Sequence, residues 1–290
     1  MDLLSSPSIE DLACRATAVR LAVLDLVDVS GSGHYGPAYS CVEILVSLYY
    51  GFLRVRPDEP GWPERDRFIL SKGHACSALY PILADRGFFD AAWLQGFCRL
   101  GSPLGDHPDM KKIPGIDFSS GSLGHGLSIG CGIAEGTRLQ GFDSRVVVLL
   151  GDGELNEGQV WEAAPYAAHR RLGNLLAIVD ANRVSVDGTT EEVLDFEPIE
   201  RKWEAFGWRT ERLDGHDLDA LREGLERYDH ARRQPDARPT ALVADTVVGR
   251  GISFIEGMAE WHVGYLHGED KQRAVHDILA MYSLTEEEVR

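Results

Sequence analysis

Paired cysteines, long apolar runs and positive charge are all scarce in this sequence. Its five cysteines, Cys14, Cys41, Cys76, Cys98 and Cys131, are scattered with no C-x-x-C pair. That argues against a thiolate zinc site or a disulfide framework. No run of about 18 or more apolar residues occurs, so no transmembrane helix is expected. Twenty-nine Lys and Arg face 46 Asp and Glu, a net charge of −17. Such a balance disfavours nucleic acid and anionic membranes as partners. Any phosphate must then be held by local dipoles, a metal or basic residues from elsewhere. The first residues, MDLLSSPSIEDLACRA, are acidic and lack the basic start and apolar centre of a signal peptide. A cytoplasmic protein is the expectation.

What is present is enough for a full core: 290 residues, 44% of them hydrophobic. No internal repeat, low-complexity segment or interdomain linker is visible. One domain over 1–290 is expected, with 265–290 as a short C-terminal extension. Long apolar-faced stretches predict helices over 9–29, 41–52, 75–85, 91–98, 199–206, 218–228 and 271–281. Short β-rich runs predict strands at 68–70, 208–213 and 240–247. Residues 30–40 read as a Gly-rich loop, 100–121 as a long irregular stretch of the kind that is often functional, and 285–290 as a charged, frayed end. The alternation predicts an α/β fold: a doubly wound, mostly parallel sheet with helices on both faces.

The chain is organised around residues 146–188. Residues 146–150, VVVLL, are too short an apolar run for a helix and read as a buried parallel strand. Gly151-Asp152-Gly153 ends it. A helix over 159–172 follows, with Val160, Ala163, Ala164, Ala167 and Ala168 on one face. Residues 175–179 form the next strand, ended by Asp180-Ala181-Asn182. Consecutive parallel strands release their turns on one edge of the sheet, where ligands bind. Asp152 and Asn182 are therefore expected to face one crevice. One carboxylate and one amide oxygen suit Mg²⁺ or Ca²⁺, not zinc. Two side chains leave an octahedron open, and a diphosphate cofactor is the natural missing ligand. Gly-Asp-Gly alone is also ordinary turn chemistry; the strand-end Asn182 is what raises the metal reading above it.

His34, His74, His107 and His262 each lie in a loop beside Gly, Pro or Trp. Singly each reads as structural; together they predict a polar pocket. Sugar hydroxyls need donors and acceptors near neutral pH, and imidazole supplies both. Proton transfer at carbinol oxygens suits histidine as well. The turn from Gly121 to Gly126 opens a small-residue helix whose first N–H groups can approach an anion. His125, His169, His216, His230, His267 and His276 read as surface, capping or packing residues.

GDGELNEG followed by DAN, with Asp152 and Asn182 thirty positions apart, resembles the thiamine diphosphate motif. WEAAPYAAHRRLGNLLAIVD, SGHYG, RDRFILSKGHA and GDHPDMKKIPG resemble transketolases in particular. The similarity runs from about Ser32 to His262 and matches the N-terminal, diphosphate-binding half of a transketolase encoded as two chains. The resemblance implies a thiamine diphosphate-binding fold and thiamine diphosphate with Mg²⁺ (or Ca²⁺) as cofactors. It implies metal ligands at Asp152, Asn182 and the carbonyl of Val184. Cofactor-contacting positions would be Gly121, Leu123, Gly151, Gly153, Glu154 and His262. His34, His74 and His107 would line the donor-sugar channel. His262 would lie near the reacting carbon, and Glu157 would join a carboxylate network between two active sites.

The implied reaction moves a two-carbon ketol unit from a ketose or ketose phosphate to an aldehyde, through the cofactor's carbanion and enamine. The implied partner is a C-terminal subunit that carries the pyrimidine-binding domain, the catalytic glutamate and the basic residues for the sugar phosphate. A two-plus-two heterotetramer is expected by family analogy. Tyr35 stands where the family has proline, His125 where it has glutamine, and VGYLH after His262 where it has a glycine-rich segment. Other thiamine diphosphate enzymes, such as a 1-deoxyxylulose-phosphate synthase or a 2-oxoacid dehydrogenase component, are the alternative, one acting in specialised metabolism included. A non-catalytic regulatory homologue is the third reading.

Overall fold

The structure, a computed structural model, describes residues 7–289. Most of the segment before Ile9, read above for a signal sequence, lies outside the described residues, as does Arg290.

The strands are β1 (Arg67–Leu70), β2 (Val146–Gly151), β3 (Leu175–Ala181), the two-residue hairpin strands β4 (Val184–Ser185) and β5 (Gly188–Thr189), β6 (Arg209–Asp214) and β7 (Thr240–Asp245). All but the hairpin form one sheet in the order β1-β2-β3-β7-β6, every pairing parallel. Side chains alternate between two cores with the period of two that a strand imposes. Val147 and Leu149 join one core and Val146, Val148 and Leu150 the other. Because both faces are covered, β2 and β3 read as unbroken apolar runs.

One face is covered by α1 (Ile9–Ser30), α2 (Tyr35–Ser40), α3 (Val42–Val46) and α4 (Cys76–Asp85). The other face takes α5 (His125–Leu139) and α6 (Gly158–His169). A small helix, α7 (Thr190–Leu194), precedes α8 (Ile199–Ala205), whose Trp203 is buried on the α5 side. The helix α9 (Leu218–Ala231) returns to the α1 side through Leu221 and Leu225. Near the C-terminus, α10 (Gly268–Met281) lies on α1, burying Ala274 and Ile278 in the same core, and α11 (Glu286–Val289) follows. Lys271 of α10 pairs with both Asp25 and Asp28 of α1. Among the described residues no helix is long and apolar enough to cross a membrane.

The expected strands at 68–70, 146–150, 175–179, 208–213 and 240–247 are all found, with ends shifted by one or two residues. Four local expectations need correction. The loop 30–40 contains α2, because Tyr35, Ala38 and Tyr39 are fully buried. Pro37 sits in that helix's first turn, where an N–H has no intrahelical partner to lose. The helix over 41–52 gives way after Val46 to a π-helical turn, Ser47–Phe52. Residues 91–98 form a 3₁₀ segment, Ala91–Gly96, capped by Asp90, and Cys98 then turns into the left-handed region at φ 55°. Glu286–Val289 is helical, and the hydroxyl of the preceding Thr285 donates to the Glu288 carboxylate at 2.8 Å.

Candidate functional site

The carboxyl ends of β1, β2, β3 and β7 release their turns on one edge, and the candidate residues gather there. Gly151 of β2 lies opposite Asp180 of β3, so Asp152 and Asn182 leave the sheet from neighbouring strands. The backbone N–H of Arg183 donates to Asp152 Oδ2 at 2.5 Å, and that of Gly153 to Oδ1 at 2.8 Å. Arg183 takes φ +64° to reach this position, a conformation uncommon for residues other than glycine. Asn182 Oδ1 accepts from Val184 N at 3.0 Å, while its Nδ2 faces Asp180 Oδ2 and Ser40 Oγ, each at 3.4 Å. The amide oxygen is thereby turned away from Asp180.

Asp152 is only 5% exposed. Burial first, and the nearby Asp180 second, push its carboxyl up to about 7 despite the two N–H groups and Lys72. A divalent cation would return it to the charged form. Among the described residues no group of three or more His, Cys, Asp or Glu side chains is placed to hold a metal alone. The donor set fits a hard cation that completes its shell with Val184 carbonyl, water and phosphate oxygens.

Four imidazoles converge at the same sheet edge. The His34 ring centroid is 5.3 Å from that of His74, 6.3 Å from His107 and 5.7 Å from His262, and His74 and His262 are 5.4 Å apart. They come from the head of α2, the turn after β1, the long loop after α4 and the loop after β7. Burial, then Lys72 and the other three rings, lower His74 to about 2. Burial, then His34 and Lys72, lower His262 to about 4. Burial also lowers His107, with Asp106 opposing. These three rings are neutral near pH 7. Nδ1 of His262 is buried with no hydrogen-bond partner.

Glycines allow the turns to touch. A Cβ on Gly73 would lie 2.6 Å from Ser120 Oγ and 3.2 Å from Gly121 N, and one on Gly121 would lie 3.5 Å from the His107 ring. The Gly121 turn therefore lies against both the turn after β1 and the His107 ring. Leu123 and Gly153 are half-buried. Glu154 sits at its expected turn, but both its oxygens are engaged by this chain. Oε1 takes the Ser71 hydroxyl and the Gly124 N–H (2.8 Å), and Oε2 the Gly151 N–H (3.1 Å). It fastens three turns together, and burial raises its pKa. Glu157 is exposed at the start of α6, and His125 is exposed at the start of α5.

The sequence reading passed over a buried pair beneath the site. Lys72 Nζ contacts the Asp180 carboxylate, and donates to the Pro37 carbonyl at 3.0 Å. The Thr246 hydroxyl donates to the other Asp180 oxygen. Burial opposes the charge on Lys72, but Asp180 outweighs it and holds the amine above its ordinary value. The signal was a lysine inside an otherwise small-residue strand-end turn. His216, read as a surface, capping or packing residue, holds Glu43 through Nδ1 (2.9 Å) and accepts from Val247 N (2.9 Å). Glu43 also forms a fully buried ion pair with Arg20. Tyr35 is away from the crevice surface: it is buried, stacked on Tyr39, and its hydroxyl accepts the Leu266 N–H at 3.3 Å.

The family model described as "Transketolase, thiamine diphosphate binding domain" matches residues 13–285. The 6-deoxy-6-sulfo-D-fructose transketolase subunit SqwG of Clostridium sp. is 40% identical over 252 residues, 87% of this chain and 90% of its own. An apulose-4-phosphate transketolase subunit of Phocaeicola vulgatus is 36% identical over 270 residues, 93% of this chain and 94% of its own. Crystal structures of transketolase from Campylobacter jejuni and of Pichia stipitis transketolase with sedoheptulose 7-phosphate each superpose with TM-score 0.87. They are 28% and 29% identical, and each covers 96% of this chain. The chain spans 43% of the length of either solved chain. Family match, full-length subunit relatives and shared fold agree: the chain belongs to the transketolase family and corresponds to its N-terminal, thiamine diphosphate-binding part.

Proposed function

We propose that this chain is the thiamine diphosphate-binding subunit of a two-chain transketolase, with Mg²⁺ or Ca²⁺ held by Asp152, Asn182 and the Val184 carbonyl. The observation that carries the reading is that four imidazoles converge at the same sheet edge where neighbouring strands end in a buried carboxylate and a buried amide. The cofactor, when bound, supplies the nucleophilic carbon that accepts the two-carbon unit. Gly121, Leu123, Gly151 and Gly153 would lie along it, with His262 Nδ1 free to meet it or the sugar. Glu154 would act by holding the turns, as its oxygens are already engaged. His34, His74 and His107 would orient the ketose hydroxyls and exchange protons with them.

A C-terminal subunit would supply the pyrimidine-binding site, the catalytic glutamate and the cations for an anionic sugar tail, in a two-plus-two assembly. Residues 1–290 would form one domain, its last segment included. The two subunit relatives are named for a sulfonated and a phosphorylated ketose, so an anionic ketose is the donor class we favour. A cytoplasmic site of action goes with this reading. The decisive experiment assays ketol transfer from xylulose 5-phosphate to ribose 5-phosphate with thiamine diphosphate and Mg²⁺. The chain is tested alone and mixed with the protein encoded beside it. Transfer in the mixture only is the expected result. A mixture that binds no cofactor would reverse the reading in favour of a non-catalytic homologue.

A further inference from the structure

The four imidazoles of the cluster are not equivalent. Among the described residues, His34 alone of the four has a carboxylate on a ring nitrogen: its Nδ1 is 3.3 Å from Asp106 Oδ1. Asp106 immediately precedes His107 on the loop after α4 and is 42% exposed at its side chain, against 19% for His34. The pair therefore sits at the rim of the crevice, with the His34 ring reaching inward to His74, His107 and His262.

A carboxylate accepts hydrogen bonds and does not donate them, so Nδ1 must carry the proton of a neutral His34 and Nε2 must present its lone pair. We propose that Asp106 is a positioning residue that fixes His34 in this tautomer and so presents a bare, proton-accepting His34 Nε2 to the cluster. The proposal rests on the transketolase reading for the reaction, but not for the geometry. As the C2–C3 bond of the ketose breaks, its electron pair stays with the two-carbon unit. The proton of the C3 hydroxyl moves to Nε2, and the C3 oxygen becomes the carbonyl of the released aldehyde. His34 is then a cation whose Nδ1–H faces Asp106. When the two-carbon unit adds to the new aldehyde, Nε2 returns the proton to that aldehyde's oxygen, and the cycle balances.

The test uses long-range ¹H–¹⁵N NMR correlations of the imidazoles in the full chain at neutral pH, with His34→Gln to assign the signal. Wild type should show a protonated Nδ1 and a bare Nε2. Asp106→Ala should move His34 to the Nε2–H form or to a mixture. Asp106→Asn, whose side-chain oxygen still accepts, should keep the wild-type pattern. In the assembled enzyme, Asp106→Ala should lower kcat by about tenfold or more with thiamine diphosphate affinity unchanged, and Asp106→Asn should recover part of it. An unchanged His34 tautomer in Asp106→Ala, or a changed tautomer with unchanged kcat, would overturn the proposal. If the tautomer moves as expected while wild type shows no ketol transfer, the positioning stands and the assigned reaction falls.

Discussion

Burial first, and then Lys72 and neighbouring imidazoles, lower the basicity of His74 to about 2 and of His262 to about 4. In an unfolded chain both would titrate near the ordinary value of about 6.5. Between those values the unfolded chain binds more protons, so stability is complete above about pH 6.5 and is lost as the pH falls. The slope should be about 1.4 kcal/mol per pH unit for each ring, with both acting down to about pH 4 and His74 alone below it. Urea midpoints taken across this range check it, and His74→Asn should remove one ring's share; a midpoint indifferent to pH would contradict the burial argument. At the metal end, Asp152→Ala removes the one charged ligand of the proposed set. Calorimetry should then show Mg²⁺-dependent retention of thiamine diphosphate abolished, and unchanged affinity would sink the assignment. His107→Ala should cut donor turnover by about 10²-fold while cofactor affinity holds, and wild-type kinetics would show that its loop does not reach the sugar. The four histidines were legible because each stands in a loop beside Gly, Pro or Trp. Lys72–Asp180 and Asp106–His34 were not, since a contact across 108 or 72 positions leaves no local pattern.

At the scale of elements, the site depends on how closely turns approach. A Cβ on Gly126 would lie 2.2 Å from Ser71 Oγ and 3.1 Å from Ser71 Cα, so backbone as well as side chain would have to move. Gly126→Ala should push the start of α5 off the turn after β1 and cost about 1–3 kcal/mol, the usual range for overpacking. A denaturation midpoint measures the loss, and a midpoint equal to wild type would mean the two turns are free to part. β2, β3 and β7 were readable from apolar runs, because a sheet covered on both faces makes most positions of its inner strands hydrophobic, whereas the edge strand β6 is largely polar. Short helices were harder. α2 is set by tertiary burial of Tyr35 and Tyr39, which outweighs the Gly- and Pro-rich composition. α7 had a signal that went unread: Thr189 and Glu192 form a capping box, the T-x-x-E spacing that opens helices.

For the whole molecule, the question is what covers the open edge of the crevice. The chain holds 46 acidic against 29 basic residues, and the lysine it places under the site, Lys72, is already paired with Asp180. Under the two-chain reading, the partner should bind the folded form and stabilise it by mass action. The thermal midpoint should therefore rise with added partner, and rise further when thiamine diphosphate and Mg²⁺ are both present. Cofactor alone should raise it less; an equal rise without the partner would argue that this chain completes the site unaided.

The first histidine turn and the last are stitched to each other. Gly33 and Gly264 exchange both backbone hydrogen bonds, at 3.1 and 2.9 Å, and the Tyr35 hydroxyl receives Leu266. Residues 33–36 and 261–266 are therefore one inheritable unit split across the chain. A chimera that takes one segment from a transketolase relative and keeps the other should misplace His262 relative to His34. A chimera that exchanges both together should keep the spacing, so substrate preference should be transplantable only in matched pairs.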